Sequence, residues 1–201
     1  MQNHTFHFLN VKDGDCSIIK HGSGHVSVID VCNARKTENK KAMSFSESMY
    51  LETSSEELAR ATGARKNYGQ KKFPVNPIDY LNKFNVNSVF RFSVTHPDMD
   101  HIDGIKDFFE EFEPINFYDT NNKKEMDDDW SQSPYREEDW DFYKKLRDED
   151  PNNDPKRISL LSGDDGIHRR KNWDGERPGD AYYTLAPTPE LIKQANENDD
   201  Y

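Results

Sequence analysis

Apolar and polar positions alternate at the start of the chain, through Phe6-His7-Phe8, Ser17-Ile18-Ile19 and Val26-Ser27-Val28-Ile29. A period of two marks half-buried strands, so residues 5–31 are predicted to form two or three strands, with a tight turn at His21-Gly22-Ser23-Gly24. Pro77-Ile78-Asp79-Tyr80-Leu81-Asn82-Lys83-Phe84 reads as a short amphipathic helix with proline in its first turn. It leads into Ser88-Val89-Phe90-Arg91-Phe92-Ser93-Val94, a strand-like run. After Gly104 the period changes. Ile105, Phe108, Phe109 and Phe112 recur at helical spacing, and such a helix buries an aromatic face in the core. Asn116-Phe117-Tyr118-Asp119 is a short strand, and Glu137 to Arg147 fits a helix that is acidic at its start and basic at its end. Ser54-Ser55-Glu56-Glu57 opens a further helix with a capping pattern. Strands and helices mixed in this order predict an α/β (α+β) domain.

Composition qualifies that outline. The 201 residues are 33% hydrophobic and 32% charged, lean for a domain whose sheets must be covered, although twelve Phe, nine Tyr and three Trp exclude a generic disordered chain. Two stretches account for the polarity. Residues 33–73 hold nine Lys/Arg against five Glu, and residues 121–157 hold twelve acidic against eight basic residues. Both are expected to be polar insertions in one domain spanning 1–201, the first a solvated loop or a contact for an anionic substrate, the second docking its aromatic residues on the core or on a partner. A net charge of −11 argues against gripping nucleic acid with the whole surface, yet leaves room for a local groove that meets a phosphate. No apolar run is long enough for a bilayer and no signal-peptide pattern opens the chain, so no membrane association and a cytoplasmic location are expected. Cys16 and Cys32 are then expected to be reduced thiols near the first strands.

The candidate chemistry sits in Thr95-His96-Pro97-Asp98-Met99-Asp100-His101-Ile102-Asp103-Gly104. Two imidazoles and several carboxylates follow directly on a strand, and a strand ending in a compact loop can aim alternate side chains at one point. Such donors suit a divalent cation of borderline or hard character: zinc, manganese or iron. The competing reading is that Asp98, Asp100 and Asp103 cap a helix beginning near Ile102 while His96 and His101 lie on the surface. Independent caps do not call for two histidines around a Pro-Asp turn.

His96-Pro97-Asp98-Met99-Asp100-His101 resembles the His-x-His-x-Asp-His signature of the metallo-β-lactamase superfamily, with Asp98 in place of the second histidine. That variant looks like the bacterial branch containing the hydrolase domain of DNA-uptake channel proteins. Upstream, Phe6 to Ile19, with its Gly14-Asp15 turn, is similar to the family's opening strands. Val26-Ser27-Val28-Ile29-Asp30 is similar to the next strand, which ends in aspartate. The family usually has glycine two residues after that aspartate; Cys32 stands there, so the local turn is expected to differ.

The resemblance implies a four-layer αββα sandwich of two similar halves and one or two divalent ions, zinc first and manganese or iron next. His96 and Asp98 would serve one ion, and Asp100 and His101 the other. Asp100 would also orient or deprotonate the attacking water. Asp30 would hold the loop or orient a ligand without ligating. The second half of the family domain supplies further ligands. Leu160-Leu161-Ser162-Gly163-Asp164 resembles its strand-Gly-Asp element, with His168 nearby. However, Tyr182 to Leu191 looks like the segment preceding that element, which makes the chain similar to the N-terminal half of the domain. His4, His7, His21, His25, His168 and Asp164 are the remaining groups that could reach the motif. Two functions stay open. One is a metal-dependent hydrolase, phosphodiesterase- or nuclease-like, acting on nucleic acid or another phosphoester. The other is a non-catalytic half-domain, a binding or regulatory module completed by a partner chain or a second copy in a homo-oligomer.

Overall fold

The computed structural model describes residues 3–36, 74–126, 130–149, 154–162, 180 and 184–198. The opening alternation resolves into β1 (Thr5–Phe8), β2 (Ser17–Lys20) and β3 (Val26–Ile29), an antiparallel meander. The turn between β2 and β3 closes as expected, with His21 N–H donating to the His25 carbonyl at 2.8 Å and Gly24 at a φ of 93°. Helix α1 (Pro77–Lys83) carries proline in its first turn. Its N-cap Asn76 accepts from the backbone N–H groups of Ile78 and Asp79.

Beyond α1 the sheet becomes parallel. Strand β4 (Arg91–Ser93) pairs with β3, β5 (Asn116–Asp119) pairs with β4, and β6 (Lys156–Ser159) pairs with β5. The result is a six-stranded mixed sheet in the order β1 to β6. Parallel neighbours need crossover connections. Helices α2 (Met99–Ile102) and α3 (Ile105–Phe112) connect β4 to β5, and α4 (Glu137–Asp148) connects β5 to β6. Helix α5 (Pro189–Asn198) follows β6 and meets the turn after β5, where Asn196 bonds to the backbone of Asn121 and Lys123.

The strand registers place Ile18, Val28, Phe92 and Phe117 in one row across a single face. All four are buried. The predicted aromatic face of α3 packs on them, with Phe92 meeting Phe108 at 5.3 Å and Phe109 at 5.0 Å between ring centroids. Each fully buried ring of this kind is worth roughly 1.5–3 kcal/mol of transfer free energy. Helix α4 adds Trp140, Tyr143 and Leu146 to the same core. The stretch 121–157, expected from its charge to be an insertion, therefore supplies core as well as surface. The opposite face of the sheet carries Phe6 and Phe8, which are 60% and 80% exposed.

The 33–73 segment is described only through residue 36, so its capped helix start at Ser54 lies outside the described residues, as do Gly163, Asp164, His168, Tyr182 and Tyr183. Cys16 and Cys32 are free and buried. Among the described residues no helix is long and apolar enough to cross a membrane.

Candidate metal centre

The C-terminal ends of the parallel strands converge on the motif. Asp30 N–H donates to Ser93 O at 2.8 Å, and Val94 N–H to Tyr118 O at 2.9 Å, so β3, β4 and β5 end side by side. Open α/β sheets bind ligands at such ends. Asp30 leaves β3 with a φ of 55°, a left-handed conformation that aspartate tolerates better than most residues. Its carboxylate then faces the loop after β4. There it accepts from Thr95 N–H (2.8 Å) and the Thr95 hydroxyl (2.6 Å), and it pairs with His101 Nδ1 (3.0 Å). The backbone runs alongside as well, with Val31 N–H donating to His101 O at 3.0 Å.

Asp30 therefore fixes the His101 ring by one nitrogen, leaving Nε2 as the atom for ligation. A carboxylate on the far nitrogen of a metal-binding imidazole sets its tautomer and raises its basicity. Burial pulls the His101 imidazole down, but the bond and charge of Asp30, with Asp100 and Asp15, outweigh it and hold the group above its ordinary value.

The four predicted ligands meet in two pairs. His96 Nε2 lies 3.7 Å from Asp98 Oδ2, and His101 Nε2 lies 3.9 Å from Asp100 Oδ2. The two imidazoles pack against each other with centroids 3.8 Å apart. A tetrahedral site with bonds of about 2.0–2.1 Å has ligand edges of about 3.3 Å, so each pair would close by a few tenths of an ångström on a shared ion. Lys124 Nζ is bonded to Asp98 and already places a positive charge there. Burial pushes the Asp98 carboxyl up. The Lys124 bond and charge, followed by His96 and His101, outweigh that and hold it below the usual carboxylate range. Donor type and the oriented imidazole are those a divalent metal takes, but each pair brings two donors and no three of the four come within 4.8 Å of one another.

The helix-cap alternative fares differently at each aspartate. Asp98 occupies the N-cap position of α2 but makes no capping hydrogen bond through its side chain. Asp103 is structural: it receives Arg35 Nε at 2.7 Å and Asn33 N–H at 3.0 Å, tying the segment after β3 to α2. Gly14, in the Gly14-Asp15 turn, belongs to the site too. A Cβ there would lie 1.6 Å from the carbonyl oxygen of Asp100. Cys32 replaces the expected glycine without a left-handed φ, which Asp30 and Asn33 (φ 60°) supply on either side.

Among the described residues, the remaining histidines do not reach the motif. His7 bonds to the Tyr80 hydroxyl at 2.8 Å. His4, His21 and His25 lie at the other end of the sheet, roughly 13 Å of strand away, because Thr5 pairs with Lys20 and the β2–β3 turn projects from that end. Beside the motif, Cys32, Arg35, Asp103 and Tyr135 line a cavity of about 100 Å³. In the motif itself the His96 and Asp98 side chains are about half exposed, at 50% and 48%. The chain matches no protein-family model, no curated protein and no solved structure.

Proposed function

We propose that the protein is a metal-dependent hydrolase of the metallo-β-lactamase type, acting on a phosphodiester such as nucleic acid. The reading rests on one observation above others: the buried Asp30 carboxylate orients His101 by Nδ1, at 3.0 Å, toward Asp100 and His96. His96 with Asp98, and Asp100 with His101, would hold two ions, zinc in first place and manganese next, since Asp98 makes its site harder than a tris-histidine one. Bound there, the ions would lower the pKa of a coordinated water and polarise a phosphoryl oxygen. Asp100 would also orient or deprotonate that water. Lys124, now on Asp98, is a nearby cation for a phosphate once Asp98 turns to metal.

A second reading is favoured by a different observation. Phe6 and Phe8 are exposed on the sheet face opposite the helices, where the family's sandwich would place its second sheet. A partner chain or second copy covering that face would make this chain one half of a shared domain.

Metal content separates these readings, measured on protein purified without chelator, next to an Asp100→Ala, His101→Ala variant. Metal lost in the variant, with hydrolysis of a bis-aryl phosphate that follows the metal, supports the hydrolase. Metal lost without hydrolysis, from a protein that light scattering finds dimeric, supports the half-domain. Content identical in parent and variant sinks the metal centre.

A further inference from the structure

The end of the sheet away from the motif gathers a second set of donors. His4 precedes β1, and its ring meets that of His21 edge-on with centroids 5.6 Å apart. Asp180 arrives from the C-terminal part of the chain. Its Oδ1 lies 3.8 Å from His21 Nδ1, and its Oδ2 takes the Ser23 hydroxyl and sits 3.0 Å from His25 Nδ1. One ligand atom from each of His4, His21 and Asp180 falls within 4.8 Å of the others, and among the described residues this is the group of three that meets that spacing.

His21 supplies the decisive detail. Its side chain is only 4% exposed, and Nε2 is engaged with Ser27 Oγ at 2.8 Å. Nδ1 is buried and has no hydrogen-bond partner. A buried imidazole nitrogen left without a partner costs about 1–3 kcal/mol in general, so such atoms call for an explanation. If Nε2 donates to Ser27, the Nδ1 lone pair points toward a carboxylate oxygen, an arrangement that repels. If Nδ1 carries the proton, its nearest carboxylate oxygen is beyond hydrogen-bond distance. A cation between nitrogen and carboxylate gives the buried Nδ1 a partner and removes that repulsion. His4 is exposed and stands next to them, able to complete the set.

We propose that His4, His21 and Asp180 form a second divalent-cation site, separate from the His96–His101 loop, that takes zinc and fastens Asp180 beside the β2–β3 turn. Two imidazoles and one carboxylate are a common zinc donor set, with the remaining position open to water. The Arg91 guanidinium, bonded to the Asp180 carbonyl, opposes a cation here and weakens the site. The role that fits is structural, joining two parts of the chain far apart in sequence.

The test uses the full chain carrying His96→Ala and Asp100→Asn, so that the motif contributes no metal. After treatment with EDTA and dialysis, zinc is added while Tm is followed, and uptake is read by competition with a chromophoric chelator. The expected result is one equivalent bound, with a zinc-dependent rise in Tm. Adding His4→Ala, or separately Asp180→Asn, should weaken uptake at least tenfold while leaving the EDTA melt close to that of its parent. No uptake by the parent overturns the proposal, as does uptake insensitive to either substitution. In the chain with an intact motif, His4→Ala should remove one zinc and Asp100→Ala, His101→Ala the others, so the two sites fail independently.

Discussion

Gly14 and Asp100 touch backbone to backbone: the place of a Gly14 Cβ is 1.6 Å from the Asp100 carbonyl oxygen and 3.0 Å from Cys32 Cβ. The turn between β1 and β2 is thereby the floor on which the His-Pro-Asp-x-Asp-His loop rests. A methyl group there cannot be absorbed by a side-chain rotation, because the obstacle is main chain.

Gly14→Ala is therefore expected to destabilise the protein by about 3 kcal/mol, the upper part of the range for overpacking. For a chain of this size that lowers Tm by roughly 6–12 °C. A thermal melt within 2 °C or so of the parent would show that the turn does not bear on the loop.

Asp30→Asn removes the charge that three groups share and leaves His101 with a poorer partner. Loss of such an orienting carboxylate typically costs 10–100-fold in metal affinity. Isothermal titration with zinc should read that loss, and the His101 side-chain ¹⁵N signals should show a changed tautomer balance. Unaltered affinity would mean that His101 is not a ligand.

Lys124 and a metal ion compete for Asp98. Lys124→Met should tighten zinc or manganese binding at the His96–Asp98 pair, on the order of tenfold, given an attraction of a few kcal/mol between close charges near a surface. The same substitution should slow any phosphodiester cleavage if Lys124 turns to substrate. Weaker metal binding in the variant would rule out competition.

Tyr143 donates to Asp119 at 2.6 Å and meets Asn122 at 2.7 Å, all three buried beneath β5 and α4. Tyr143→Phe keeps the ring but strips the hydroxyl from two buried polar groups, which should cost about 1–3 kcal/mol. Urea denaturation would read this as a lower midpoint at unchanged slope. A midpoint equal to the parent's would mean that water replaces the hydroxyl.

Burial pushes His21 down to about 4, with Arg91, His4 and His25 adding to the effect and Asp180 opposing it. Its folded value lies below its unfolded value, so the folded state refuses a proton that the unfolded chain accepts between pH 6.5 and about 4. Stability from this group is present above pH 6.5 and is lost as pH falls through that window, by an amount on the order of 2–3 kcal/mol. In EDTA, Tm of the parent should fall more steeply across the window than Tm of His21→Gln. Parallel profiles would mean that His21 takes up its proton normally.

Much of this architecture is legible from local pattern. The period-two runs at Phe6 and Val26, proline at the start of α1, and the Ile105–Phe112 spacing each identify their element, because side-chain period is set by backbone geometry. Strand β6 was not legible. Lys156-Arg157-Ile158-Ser159 is short and polar, and it becomes a strand because β5 offers it a parallel partner. The helix before it, α4, is legible from its acidic start and basic end, and its aromatic residues dock on the core, the first of the two places expected for them.

Chain order is enough to put the donors together in one loop, for His96, Asp98, Asp100 and His101 span six residues and no folding is needed to make them neighbours. Tertiary structure alone decided what holds them. Asp30 reaches His101 across 71 positions, Gly14 supports Asp100 across 86 and Lys124 claims Asp98 across 26. It also decided that His4, His21 and Asp180 share one end of the sheet. Such pairings depend on strand order and register, which are set by burying the row of Ile18, Val28, Phe92 and Phe117 under α3 and α4. No local pattern encodes them.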